Sequence, residues 1–111
     1  MKVLFYENID VRFKNSFNNT KHKVFTVREM NWTGIKNGEL IKLLKENNFD
    51  CWIVADKNIP YQQNISNFTF ILIVLDVFKN TLPHFITLLP KILVSLNSAT
   101  LSNKLIVIKE D

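Results

Sequence analysis

The sequence predicts an α/β fold, a doubly wound and mainly parallel sheet with helices on both faces, formed by residues 1–111 as one domain. Three observations predict it. Short apolar runs alternate with amphipathic stretches in the order β-α-β-α-β-(loop)-β-α-β, the pattern of a layered α/β sandwich. Two of the runs, in segments 51–55 and 68–75, are apolar on both faces, as strands are when helices cover a sheet from both sides. Both stop on a carboxylate, Asp56 and Asp76. Ligands in open parallel sheets bind just beyond the carboxyl ends of the strands.

Each element has its own warrant. Segment 3–6 reads as a short first strand. Ile9, Phe13 and Phe17 then recur every fourth position with Arg12, Lys14 and Asn15 between them, one face of an amphipathic helix ended by Asn18-Asn19. Segment 23–27 is a second strand rich in β-branched residues. Asn37 is placed to cap the next helix, with Leu40, Leu43 and Leu44 on its apolar face and Lys42, Lys45 and Glu46 in water. Asn47-Asn48 stops that helix, the central strand follows, and 57–67 reads as a loop. A last helical region opens at Thr81-Leu82-Pro83, and Pro90 predicts a break inside it. Segment 105–108 closes the sheet.

Composition bounds the function. Hydrophobic residues make up 47% and charged residues 22%, ordinary for a globular domain. A net charge of +4 favours contact with nucleic acid or an acidic protein. The single cysteine, Cys51, has no internal disulfide partner, which suits the cytoplasm. The apolar run after Lys2 is too short for a signal peptide, and 68–78 falls short of the roughly 20 residues that span a bilayer. No membrane contact is expected. The Asn-x-Ser/Thr triplets at Asn18, Asn31, Asn64 and Asn67 are chance products of an Asn-rich chain.

Four acids fall near strand ends or a helix start: Glu7, Glu39, Asp56 and Asp76. A parallel sheet gathers its strand ends at one edge, so these are candidates to converge. Two carboxylates about 4 Å apart repel by roughly 4 kcal/mol at an effective dielectric near 20. A convergent cluster therefore needs a cation, and an all-oxygen donor set selects Mg²⁺ or Mn²⁺, the ions of phosphodiester chemistry. Each acid also has a plainer role. Glu39 complements the positive end of its helix, Glu7 and Asp76 are solvated loop charges, and Asp56 is a turn or cap residue.

Several segments together resemble the PIN-like proteins of the PIN-domain superfamily, in particular the short bacterial branch that includes toxin ribonucleases of toxin–antitoxin pairs. Segment 2–8, Lys-Val-Leu-Phe-Tyr-Glu-Asn, resembles that family's opening strand, and 22–30 resembles its second-strand segment. Segment 36–40 looks like the start of its acid-bearing helix, while 54–58 and 61–64 look like its third strand and the stretch beyond. The resemblance implies a metal-dependent endoribonuclease, with Glu39 and Asp56 catalytic and Asp56, Glu39, Glu7 and Asn58 around Mg²⁺ or Mn²⁺. Two departures weaken the implied site. Tyr6 stands where an aspartate ends the first strand, and Asn58 where many members carry another aspartate.

Aromatic and basic residues near that edge point to RNA. Trp32, Tyr6 and Tyr61 are placed to stack on bases, and Lys36, Lys57 and Arg28 to meet phosphates. The plain alternative packs Trp32 into the core and leaves the lysines as ordinary surface. A module that binds RNA or an antitoxin partner without cutting is the second reading. A receiver-like phosphoacceptor domain, with Asp56 as acceptor, is the third. It lacks a Ser/Thr at the end of the fourth strand and a Lys-Pro after the fifth. The stripe through Leu82, Phe85, Ile86, Leu89, Ile92, Leu93 and Leu96 is broader than one sheet face covers, which predicts a homodimer through that region; the competing reading is that Pro90 bends the helix so that both halves tuck into the core.

Overall fold

The computed structural model describes all 111 residues. Its strands are β1 (Lys2–Phe5), β2 (Lys23–Thr26), β3 (Cys51–Val54), β4 (Ile71–Asp76) and β5 (Leu105–Lys109). They form one sheet in the order β2-β1-β3-β4-β5, and every neighbouring pair is parallel. The helices are α1 (Asn37–Glu46), α2 (Ile59–Gln62), α3 (Leu82–Thr87) and α4 (Leu89–Ser98). The α/β class expected from the alternation is the one observed.

Strand alternation sorts the core into two layers. Val3, Phe5, Cys51, Ile53, Ile71, Ile73 and Leu75 point to one face, where they meet Phe13 and Phe17 together with Phe85, Leu88, Ile92 and Leu96 of α3 and α4. Leu4, Trp52, Val54, Leu72 and Val74 point to the other, against Leu40, Ile41 and Leu44 of α1, Ile59 of α2, and Phe68 and Phe70. All four residues of β3 are buried, as a strand covered from both sides requires.

Connection handedness follows from the same sorting. The β1–β2 link steps to one side of the sheet over the first face. The β2–β3 and β3–β4 links step the other way over the second face, so all three share one hand. The β4–β5 link also steps that way, yet α3 and α4 lie over the first face. Its hand is therefore the reverse of the other three. Parallel crossovers are right-handed in about 98% of cases, which assigns the rare left-handed form to the last connection. As a result no helix covers β5 on the second face, and Val107 there stays 49% exposed.

Some elements differ from the sequence expectation. Residues 11–17 form a 3-10 helix rather than an α-helix, opened by the Asp10 carboxylate accepting the Arg12 N–H. Phe13 and Phe17 still bury: Phe13 stacks on Phe5 at 5.6 Å and lies tilted to Phe85 at 5.8 Å, and Phe17 meets Phe5 and Phe13 edge-on at 5.6 and 5.3 Å. Residues 57–67 are not all loop, since α2 and a 3-10 turn (Ile65–Asn67) interrupt them. The fourth strand begins at Ile71 rather than Phe68, because Phe68 and Phe70 stack on each other at 4.6 Å in the second core layer. The break near Pro90 is present, with Leu88 between α3 and α4.

The stripe at 82–96 is consumed by the sheet. Phe85, Leu88, Ile92 and Leu96 are buried, and Leu82, Leu89 and Leu93 pack beside them. Of the residues in that stripe, Ile86 remains in solvent, at 46% exposure. The stripe is broad because its helices span a face on which the 3-10 helix also packs. Its width therefore marks core rather than an exposed surface.

Candidate functional site

In the order β2-β1-β3-β4-β5 the chain leaves β1 and β3 in opposite directions, and the gap between their carboxyl ends is where such sheets hold ligands. Two short segments meet there, Tyr6–Asn8 and Ala55–Asn58. The sheet ladder continues one step past the strands, with the Tyr6 N–H on the Ile53 carbonyl at 3.0 Å. Then the Asn8 side chain substitutes for backbone, its Oδ1 accepting the Ala55 N–H at 3.1 Å. This bond stitches the two loops together.

Tyr6 stands at the centre. Its ring meets Trp52 edge-on at 5.4 Å, and its hydroxyl donates to Asn37 Oδ1 at 2.8 Å. Partial burial raises its pKa above the ordinary tyrosine value, and the charges of Glu7 and Asp56 raise it further. Both carboxylates thus act on the same hydroxyl. Each is also held by a backbone N–H. Glu7 Oε1 accepts from Gly34 at 2.6 Å, where φ of +81° gives the loop the left-handed turn that suits glycine. Asp56 Oδ1 accepts from Asn58 at 2.9 Å. A cavity of about 310 Å³ lies alongside, lined by Tyr6, Glu7, Thr26, Arg28 and Thr33 among others.

The expected site residues divide. Glu7 and Asp56 lie on the two loops that Asn8 joins, and the charges of both bear on Tyr6. Glu39 stands in the first turn of α1 with its side chain 68% exposed, 3.4 Å from Lys42. No group of three or more His, Cys, Asp or Glu side chains is gathered anywhere in the chain. Asp76 pairs with Lys57 at 3.3 Å. Asn58 precedes α2, and its carbonyl receives the Tyr61 and Gln62 N–H groups. Glu7 and Asp56 each keep one carboxylate oxygen outside the hydrogen bonds above.

Of the residues proposed to meet RNA, Lys57 and Tyr61 share one groove of about 480 Å³ on the uncovered face of β5, with Asp76, Val107 and Lys109. Tyr61 is 90% exposed. Arg28 lies in the separate cavity beside Glu7, and Lys36 is exposed just before α1. Trp32 packs edge-on against Phe49 at 5.9 Å, the plain alternative for that residue. Sequence reasoning missed three participants. Asn37 does not cap α1, which starts without a side-chain cap; it receives the Tyr6 hydroxyl instead. Asn8 and Lys109 were also overlooked, although Lys109 ends its strand just as Asp76 does. No family model matches the chain, and neither a curated protein nor a solved structure matches it, so the reading of this edge rests on its own residues.

Proposed function

We propose that the carboxyl edge of the sheet receives single-stranded RNA and that the chain is a PIN-like, toxin-type ribonuclease with a weakened acid site. The observation that supports this reading is the joining of the Tyr6–Asn8 and Ala55–Asn58 segments by the Asn8–Ala55 hydrogen bond at the gap where β1 and β3 part, which sets Glu7 and Asp56 on neighbouring loops beside Tyr6. The exposed Tyr61 offers a base a stacking face, and Lys57 and Lys109 flank it for phosphates. Mg²⁺ or Mn²⁺ on the free oxygens of Glu7 and Asp56 would supply an activated water. Tyr6 fills the place of a further acid, so metal affinity is low and binding outlasts cutting. An antitoxin-type partner protein would act by covering this same edge. Self-association through 82–96 is not part of the reading, because that stripe lies in the core.

Binding and cutting separate cleanly in experiment. Anisotropy of a labelled RNA oligonucleotide should show Tyr61→Ala weakening binding about 5- to 150-fold, the usual worth of one stacked base. Lys57→Ala should flatten the salt dependence by roughly 0.7 of a unit in the log–log slope. Mn²⁺-dependent cleavage, where seen, should vanish in Asp56→Asn with RNA affinity retained. Wild-type affinity in Tyr61→Ala would remove the RNA reading. One observation favours a second reading: the strand order is that of receiver domains. Labelling of Asp56 by acetyl phosphate would establish that alternative.

A further inference from the structure

The two edges of the sheet are treated differently. At the β2 edge, the open-side groups of Thr26 are used locally: its N–H donates to Glu29 at 2.7 Å and its carbonyl receives the Met30 N–H. At the opposite edge, Lys104, Ile106, Ile108 and Glu110 turn their backbone groups toward β4. The Leu72-to-Lys104 and Glu110-to-Asp76 bonds at either end fix that phase. Leu105, Val107 and Lys109 therefore present N–H and C=O groups to the open side. The side chain resting on that ladder is Lys91, 3.3 Å from the Lys109 carbonyl and 50% exposed. Unpaired edges of this kind are templates for a further strand.

Grooves flank this strand on both faces. One of about 660 Å³ runs between α4 and β5, past Pro90, Val94 and Ile106. The other, of about 480 Å³, occupies the face that the reversed connection leaves bare. Both are lined by Val107 and Lys109. An added strand, whose side chains alternate between faces, would fill the two together.

We propose that β5 is a homodimer edge, two copies pairing β5 antiparallel about a two-fold axis at Val107 so that their sheets become continuous. The sequence of the edge is self-complementary in this register. Val107 meets Val107 of the second copy as a hydrogen-bonded pair, Leu105 meets Lys109, and no like charges stand opposite. Lys104, now on the Ser66 carbonyl at 3.0 Å, falls opposite Glu110, whose carboxylate stays with His84 and the Phe78 N–H, and Asn103 falls opposite Asp111, now 3.2 Å from Lys91 and 94% exposed. An antiparallel pair makes both matches twice, as a two-fold interface requires. Lys91 swings off the Lys109 carbonyl as the pair forms. Tyr6, Glu7 and Asp56 lie outside this surface, but the groove of Lys57, Tyr61 and Lys109 is shared with it, so pairing and RNA compete there and the cross-linking below is read without RNA.

Cysteine cross-linking tests the register. Val107→Cys should form a disulfide-linked dimer on mild oxidation, because paired Cα atoms lie about 5.5 Å apart across such a ladder, within disulfide reach. Leu105→Cys should not, its symmetry mate being roughly 13 Å away. Cys51 is fully buried and gives no background. Sedimentation should show a wild-type dimer at micromolar concentration. Val107→Pro should weaken it by roughly 30-fold or more, since two ladder bonds are lost. The Val107 N–H faces the open side, so the monomer keeps its own ladder; Val107→Lys serves if proline impairs folding. A monomeric wild type, or equal cross-linking of Leu105→Cys, would overturn the proposal.

Discussion

Tyr6 reports on the whole candidate site. Its pKa is raised by partial burial and by the fields of Glu7 and Asp56. Spectrophotometric titration should place its ionisation above the ordinary value of about 10. Glu7→Gln and Asp56→Asn should each bring it back down, and an unmoved midpoint in both would mean that the acids do not converge. Glu110 provides a second titration. The Phe78 N–H and then His84 hold its carboxyl below the usual glutamate value. A depressed carboxylate stabilises the fold above its unfolded pKa and stops doing so as pH falls through the folded one. Urea midpoints should therefore favour wild type over Glu110→Gln at neutral pH, and the gap should close below about pH 4. Asp56 was legible in the sequence because a strand end has a fixed place in a parallel sheet. Glu39 was not, since the face a helix turns toward solvent is decided by which of its leucines the sheet takes. Here the sheet takes Leu40 and Leu44, and Glu39 is left beside Lys42.

Helix α1 shows how an element end is fixed. Asn48 adopts φ of +57°, the Phe49 N–H reaches the Leu44 carbonyl at 3.0 Å, and the Asn48 N–H reaches Lys45 at 3.2 Å. Together these form a Schellman stop, and Phe49 and Leu44 share the second core layer. A left-handed residue other than glycine costs roughly 1–2 kcal/mol, less for asparagine. Asn48→Gly should thus stabilise the fold by up to about 1 kcal/mol. Asn48→Val should destabilise it by a similar amount or more, both read from denaturant midpoints. The Asn47-Asn48 pair was a legible stop signal. The spacing of Ile9, Phe13 and Phe17 was equally legible as a buried face, but not as a 3-10 helix. Four-residue recurrence sets which side chains go inward; the tightening of the turn comes from Asp10 and from the aromatic packing around Phe5. The apolar run 68–75 does not reveal its own strand start at Ile71, because apolarity is the same where Phe68 and Phe70 stack as where residues pair.

At the scale of the molecule, alternation predicted a parallel sheet wrapped on both sides, and that much is present. The side taken by the last crossover was beyond reach of pattern. The 82–96 stripe is equally apolar whichever face it covers, so its pattern allowed both a partner surface and two half-helices bent at Pro90 into the core, and the structure takes the second. The reversed connection also has a kinetic consequence. Strands β1 to β4 wind by the hand that a parallel chain prefers, and their sheet can assemble before β5 exists. The layer holding Phe5, Phe13 and Phe17 stays open until α3 and α4 cross over it. Parallel pairing is slow even under ordinary winding, because distant strands must find each other. A chain emerging from the ribosome would carry this aromatic surface bare until its last third arrives, the stage at which chaperones have most to hold.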